Sequence, residues 1–233
     1  MGPAGVGFGR CYQCEFAFAE AGGLLADVVA PIRYAVRGGS LAEDLRRYKS
    51  ERATAAEAAR AVGRLRELLA AFLTEHGRSV WQAAGMTEGP QAVAVVPSGQ
   101  GRTGGHPLVS LVRSCVELPL VPLAVAAPAA HSRGVNPGWV RVADRAGGGV
   151  VRAAAGADVL VVDDTWVSGG SAQSAAAALR LAGARRVAIV VLGRHVNPAD
   201  PRSAAFLAAV HAAGDVGAWA GGGSARCTPS SPT

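Results

Sequence analysis

Aromatic side chains make up 5% of the 233 residues, so a core here cannot rest on stacked rings and must be assembled from Ala, Val and Leu. Cysteine is scarce as well, with four residues at positions 11, 14, 115 and 227. That excludes a disulfide framework and makes the reducing cytoplasm the expected compartment. No apolar run is long enough to span a bilayer: the most apolar stretch, 118–130, is broken by Pro119, Pro122 and Pro128, so no membrane partner is expected. Met1 to Gly9 lacks a basic region followed by an apolar core, so a secretory leader is not expected. Acidic residues are outnumbered by basic ones, giving a net charge of +6 and a pI near 9.8. This balance suits an anionic ligand, but the basic residues are scattered rather than blocked, and charge alone does not separate a small anion from nucleic acid. There is no internal repeat.

The length is room for one α/β domain of ordinary size with a small appendage. The most informative stretch is 159–171, VLVVDDTWVSGGS. Four apolar residues, three of them β-branched, read as a buried parallel strand that runs into Asp163 and Asp164. Residues 171–181 are mostly Ala and Leu, strong helix formers, and Gly183 stands where the helix should end. Strand, acid pair, glycine turn and helix in that order put two carboxylates at a strand's carboxyl end, beside the N–H groups that open a helix. Adjacent carboxylates on extended backbone point different ways, so they need not chelate one ion, but together they can accept hydrogen bonds from the vicinal diol of a ribose. The turn Val167, Ser168, Gly169, Gly170, Ser171 lets backbone close around a phosphate, with the Ser168 and Ser171 hydroxyls as further donors. A ribose 5-phosphate would be held at both ends.

This run resembles the phosphoribosyl pyrophosphate (PRPP) signature of type I phosphoribosyltransferases: an apolar strand, two acidic residues, two mostly apolar residues and a Thr/Ser-Gly-rich loop. It matches at Asp163, Asp164, Ser168, Gly169 and Ser171. It departs at Val167, where the family has a hydroxyl residue, and at the bulky Trp166. Neither change removes a backbone donor. The resemblance implies that Asp163 and Asp164 are the catalytic acids, and that PRPP is bound through Asp163, Asp164, Thr165, Val167, Ser168, Gly169, Gly170 and Ser171.

Other segments extend the resemblance to the competence protein F (ComF) branch, over most of residues 11–195. Cys11 and Cys14 form a Cys-x-x-Cys pair, half of a zinc site, similar to a remnant of that branch's four-cysteine module. No second pair follows, Cys227 is the one candidate for a third ligand, and zinc at Cys11 and Cys14 is left open. Residues 28–32 read as a strand, Gly38-Gly39 as a turn, and Ser40 as the cap of a helix with Glu43 at the capping-box position. In the family the lysine after this helix, here Lys49, lies near the substrate phosphates; a helix-end lysine complementing the dipole is the other reading. Residues 54–75 carry a helical apolar stripe with Arg60, Arg64 and Arg66 on the outer side.

Residues 92–97 read as a second buried strand opening into Ser98-Gly99-Gln100-Gly101-Arg102. The resemblance makes this the pyrophosphate loop, with Ser98, Gly99 and Arg102 as its ligands. Pro107 stands at a helix start, and His106 either replaces a family arginine or caps that helix. Residues 120–126 give a strand interrupted by Pro122. Arg133 and Asn136 fit a ComF-like spacing, or a loop that staples the sheet edge. Residues 186–192 form a last strand with Arg194 and His195 at its carboxyl end, and 203–213 one more helix.

The expected fold is α/β: a doubly wound parallel sheet of about five strands, type I phosphoribosyltransferase-like, with a small N-terminal hood. The expected division is a Cys-x-x-Cys segment over 1–26, a phosphoribosyltransferase domain over 27–214 with its hood mainly in 27–75 and its core in 90–214, and a disordered tail over 215–233. The resemblance implies a PRPP-dependent phosphoribosyltransferase that uses Mg2+ with PRPP and releases pyrophosphate. The acceptor is a nucleobase, an amine or a natural-product hydroxyl such as that of an aminoglycoside, and homodimerisation stays open. Two alternatives remain: a ComF-like protein that binds single-stranded DNA without chemistry, and a regulator that senses PRPP.

Overall fold

A computed structural model describes residues 17, 19–98, 106–126, 134–143, 154–200, 203 and 207–208. Its strands are β1 (Val28–Val36), β2 (Ala92–Val95), β3 (Leu120–Val121), β4 (Leu123–Val125), β5 (Val140–Val142), β6 (Asp158–Trp166) and β7 (Arg186–Val196). Five of them form one parallel sheet in the order β1-β7-β6-β2-β3. The Val-rich runs predicted from sequence suit this setting, because a parallel strand covered on both sides has no water-facing row to fill with polar residues. In β6, the middle strand, every residue except Thr165 is buried. The chain leaves β2 toward β3 on one side, whereas β6 leads to β7 on the other. The strand order therefore reverses between β2 and β6, and the crevice beyond their carboxyl ends is where open α/β sheets take ligands.

Alternation along β6 builds two cores. Leu160 and Val162 pack with Val93, Val190 and Leu192 against Leu65, Leu69 and Phe72, which belong to helix α2 (Ala55–Ala83). On the other face Val159 and Val161 pack against Ala172, Ala175 and Leu179 of helix α4 (Gly170–Leu181). Small alanines let α4 approach closely, which offsets the scarcity of aromatic bulk. Two shorter helices, α1 (Ser40–Arg47) and α3 (Pro107–Arg113), lie on the α2 side, where Leu45 and Leu108 join that core. Residues 27–75, expected as a hood, contribute β1 to the sheet edge and α1 with most of α2 to one face.

Several predicted boundaries move. The strand expected over 28–32 runs to Val36, and the one over 186–192 runs to Val196, because the two lengthen as partners from Arg33 against Gly193 to Val36 against Val196. The strand expected over 92–97 stops at Val95. The single strand expected over 120–126 is two: Pro122 has no N–H for the ladder, so β3 ends at Val121 and β4 pairs antiparallel with β5 in a separate ribbon. The helix expected over 54–75 runs to Ala83 and meets a stop only at Gly85, whose φ of +74° a β-carbon would disfavour. Ser40 does not cap α1; Gly39 is the cap residue, without a side-chain bond. Glu43 pairs instead with Arg46 and Arg47, each at 2.6 Å. The capping box is at α2, where Thr54 and Glu57 satisfy one another's backbone N–H groups. Of the helix expected over 203–213, Ser203, Leu207 and Ala208 are described and are helical. Among the described residues no helix is long and apolar enough to cross a membrane.

Helix α1 sits directly on β7 at Gly193, where an added Cβ would lie 2.5 Å from Leu45 Cδ1 and 2.9 Å from Ala35 Cβ. Gly193→Ala is therefore expected to destabilise the protein by about 1–3 kcal/mol through overpacking, measured as a lower urea midpoint at unchanged slope.

Candidate active site

β6 does not stop before its acidic pair but carries it inside the strand, as far as Trp166. Alternation then sends the two carboxylates to opposite faces. Asp164 falls on the α1 side, where the Tyr48 hydroxyl and Lys49 Nζ both donate to its Oδ2, the lysine at 2.7 Å. Asp163 falls on the α4 side, where its Oδ1 accepts the Asp164 backbone N–H at 2.9 Å. Both acids are buried, at 9% and 7% exposure for Asp163 and Asp164. Burial pushes the Asp163 carboxyl up to about 8 and the Asp164 charge adds to the rise, opposed by backbone hydrogen bonds and the Lys49 ammonium. Lys49 supplies one cation for two adjacent acids.

The turn after β6 is made by shape. Val167 stands out at 68% exposure, Ser168 is half-buried and accepts the Gly170 N–H at 3.4 Å, and Gly169 caps α4 with φ +85° and no side-chain bond. A Cβ at Gly169 would collide with the Trp166 indole, which is folded beneath the turn in the α4 core. Only glycine meets both demands at this position. The first amides of α4 have no carbonyl within the helix to donate to and so face toward an incoming anion. One turn further on, Ser174 Oγ donates to the Gly170 carbonyl at 2.7 Å and accepts the Asn136 N–H at 2.8 Å, tying the helix start to the β5 approach.

The structure brings Lys49, Asp163, Asp164 and the turn 165–171 together at the carboxyl end of β6. Ser98 lies past the end of β2, the strand paired with β6 up to Val95 and Val162. Gly99, Arg102, Arg133, Cys11, Cys14 and Cys227 lie outside the described residues. His106 caps α3, its Nδ1 accepting the Leu108 N–H at 3.1 Å. The Asn136 side chain accepts the Gly138 N–H at 2.9 Å within its own turn. Arg194 and His195 are half-buried strand residues paired with Tyr34 and Ala35 on β1. Arg64, expected on an outer face, ties α2 to α1 through Asp44, with Nε at 2.7 Å. Tyr48 was not foreseen. Its signal was the spacing Leu41, Leu45, Tyr48, which places the phenol ring on the inner side of α1.

Among the described residues no three His, Cys, Asp or Glu side chains gather at a metal-binding distance. The acid pair diverges across the strand and Asp164 is already matched by Lys49, so this donor set does not form a protein cage for magnesium.

No family model matches the sequence, and no curated protein matches it. Among solved structures the chain is similar to a purine phosphoribosyltransferase from Pyrococcus horikoshii Ot3, at 17% identity over 60% of this chain and 88% of that one, with a TM-score of 0.33. It is also similar to an orotate phosphoribosyltransferase from Mycobacterium tuberculosis H37Rv in complex with Fe(III) dicitrate, at 18% identity over 79% of this chain and 95% of that one, with a TM-score of 0.32. At TM-scores this low neither likeness carries an argument, and function rests on the residues themselves.

The raised Asp163 carboxyl sets a pH dependence. Between its ordinary value of 3.8 and about 8 the folded protein binds a proton that the unfolded chain has released, so this group's contribution to stability falls as pH rises through that window. Asp163→Asn removes the effect. Thermal unfolding should therefore show the variant gaining on the parent from pH 4 to pH 8, and parallel curves over that range would contradict it.

Proposed function

We propose that this chain is a PRPP-dependent phosphoribosyltransferase, which moves a 5-phosphoribosyl group to an acceptor and releases pyrophosphate. The observation that carries the reading is the meeting, at one topological switch point, of two buried acids on β6 with a left-handed glycine that opens α4. In this reading Asp163 and Asp164 accept the two ribose hydroxyls. The turn from Thr165 through Val167, Ser168, Gly169 and Gly170 to Ser171 holds the 5-phosphate with backbone amides. Ser98, Gly99 and Arg102 take the pyrophosphate, and Lys49 lies within reach of the anionic substrate. Magnesium enters on the diphosphate as part of the substrate and neutralises leaving-group charge. The bond from the anomeric carbon to pyrophosphate breaks with its electron pair, positive charge grows on the sugar ring, and the acceptor forms the new bond and gives up its proton. The Asp164 carboxylate, held beside that growing charge, favours the transition state over the ground state.

Acceptor chemistry is the open half of the reading: a nucleobase, an amine, or a natural-product hydroxyl such as an aminoglycoside's. The expected N-terminal segment, transferase domain and tail are part of the same proposal. A ComF-like groove for single-stranded DNA is the alternative, and a salt-dependent DNA affinity with no pyrophosphate release would support it.

Titration calorimetry should show PRPP binding to the parent protein. Asp163→Asn with Asp164→Asn should weaken it at least about tenfold, the size of one lost hydrogen bond to the Asp164 carboxylate, and Gly169→Ala should weaken it through the displaced turn. Pyrophosphate release across a panel of bases, amines and aminoglycosides separates an enzyme from a sensor. Unchanged affinity in the double variant would reject the assignment.

A further inference from the structure

Two donors share one oxygen of Asp164 but differ in how they are held. Tyr48 is 3% exposed, its ring packed in the core between the sheet and α2. Lys49, the next residue, has a side chain 35% exposed. Both bond Oδ2 and neither bonds Oδ1. A lysine on a four-carbon stem at the solvent edge can change partner when a ligand arrives. A phenol locked in a close-packed core cannot. The placement of Tyr48 is itself fixed, because α1 is pressed onto β7 at Gly193 and pinned to α2 through Asp44 and Arg64.

We propose that Tyr48 is a positioning residue for the sugar-binding acid: its hydroxyl keeps Asp164 Oδ2 occupied whether or not Lys49 stays, holds the carboxylate in one rotamer, and so reserves Oδ1 for a ribose hydroxyl. This rests on the phosphoribosyltransferase reading above. Tyr48 bonds no substrate atom; it acts through Asp164.

Tyr48→Phe removes the hydroxyl and leaves the ring in place. The variant should bind PRPP about tenfold more weakly at pH 7, the size expected for one hydrogen bond to a charged group. In an Asp164→Asn background the same change should have little further effect, since the group it positions is gone. In ligand-free protein the Asp164 side-chain carboxyl 13C resonance should shift in Tyr48→Phe. Equal affinity in Tyr48→Phe, with the parent still binding PRPP, would overturn the positioning role alone. A parent that binds no PRPP would overturn the functional reading, and an unshifted Asp164 resonance would then overturn the Tyr48 pairing independently.

Discussion

Two neighbouring acids are held out of water in the middle strand of a parallel sheet, and one ammonium, bonded to Asp164, is the cation beside them; the rest of the site follows from that imbalance. The same sheet shows how acids are handled where no ligand is needed. At the amino end of β6, Asp158 is met by Arg185 through two bonds of 2.8 and 2.7 Å. Ahead of β1, Asp27 takes Arg180 at 2.5 Å, Arg186 at 3.2 Å and the Val187 amide at 2.7 Å. Those carboxylates are matched by guanidinium groups whose fork suits them. At the carboxyl end Asp163 has no ion pair among the described residues, and desolvation sets its titration. A buried acid without a cation costs stability, and such costs persist where a ligand supplies what is missing.

The scaffold absorbs that cost by ordinary means. Both faces of β6 are covered by dense aliphatic layers, one of Leu and Val from α2, the other of Ala from α4. The site's parts come from elements that cannot slide independently: α1 is seated at Gly193, α4 is tied through Ser174, and the acids sit on the stretch of β6 that stays paired with β7 beyond the end of β2. Rigid support of this kind would meet the small positional tolerances that the proposed transfer demands.

Much of the fold could be read in advance because the relevant signals are local. The β-branched run of β6, the Ala-rich α4 and the Gly183 stop lie within a single stretch of chain, and the acid pair stands out there. Pro122 announced a break, but its effect, a strand passing from one sheet to another, depends on which partner is near. Ser40 and Glu43 have the spacing of a capping box, yet Ser40 is already helical and Glu43 is taken by two arginines, a competition that spacing does not reveal. Tyr48 meets Asp164 across 116 residues, and no local pattern records that contact. Lys49 admits two readings from sequence, and the contact of its half-buried ammonium with Asp164 is one that no local pattern records.

The indole of Trp166 under Gly169 gives the turn a floor as well as a neighbour. It works as a shim: the thickness of one ring sets the height of the loop above the α4 core, and hence the pitch at which its amides are presented. If the loop binds phosphate as proposed, its recognition can be regraded from below through that ring, while the acids and the glycine stay as they are.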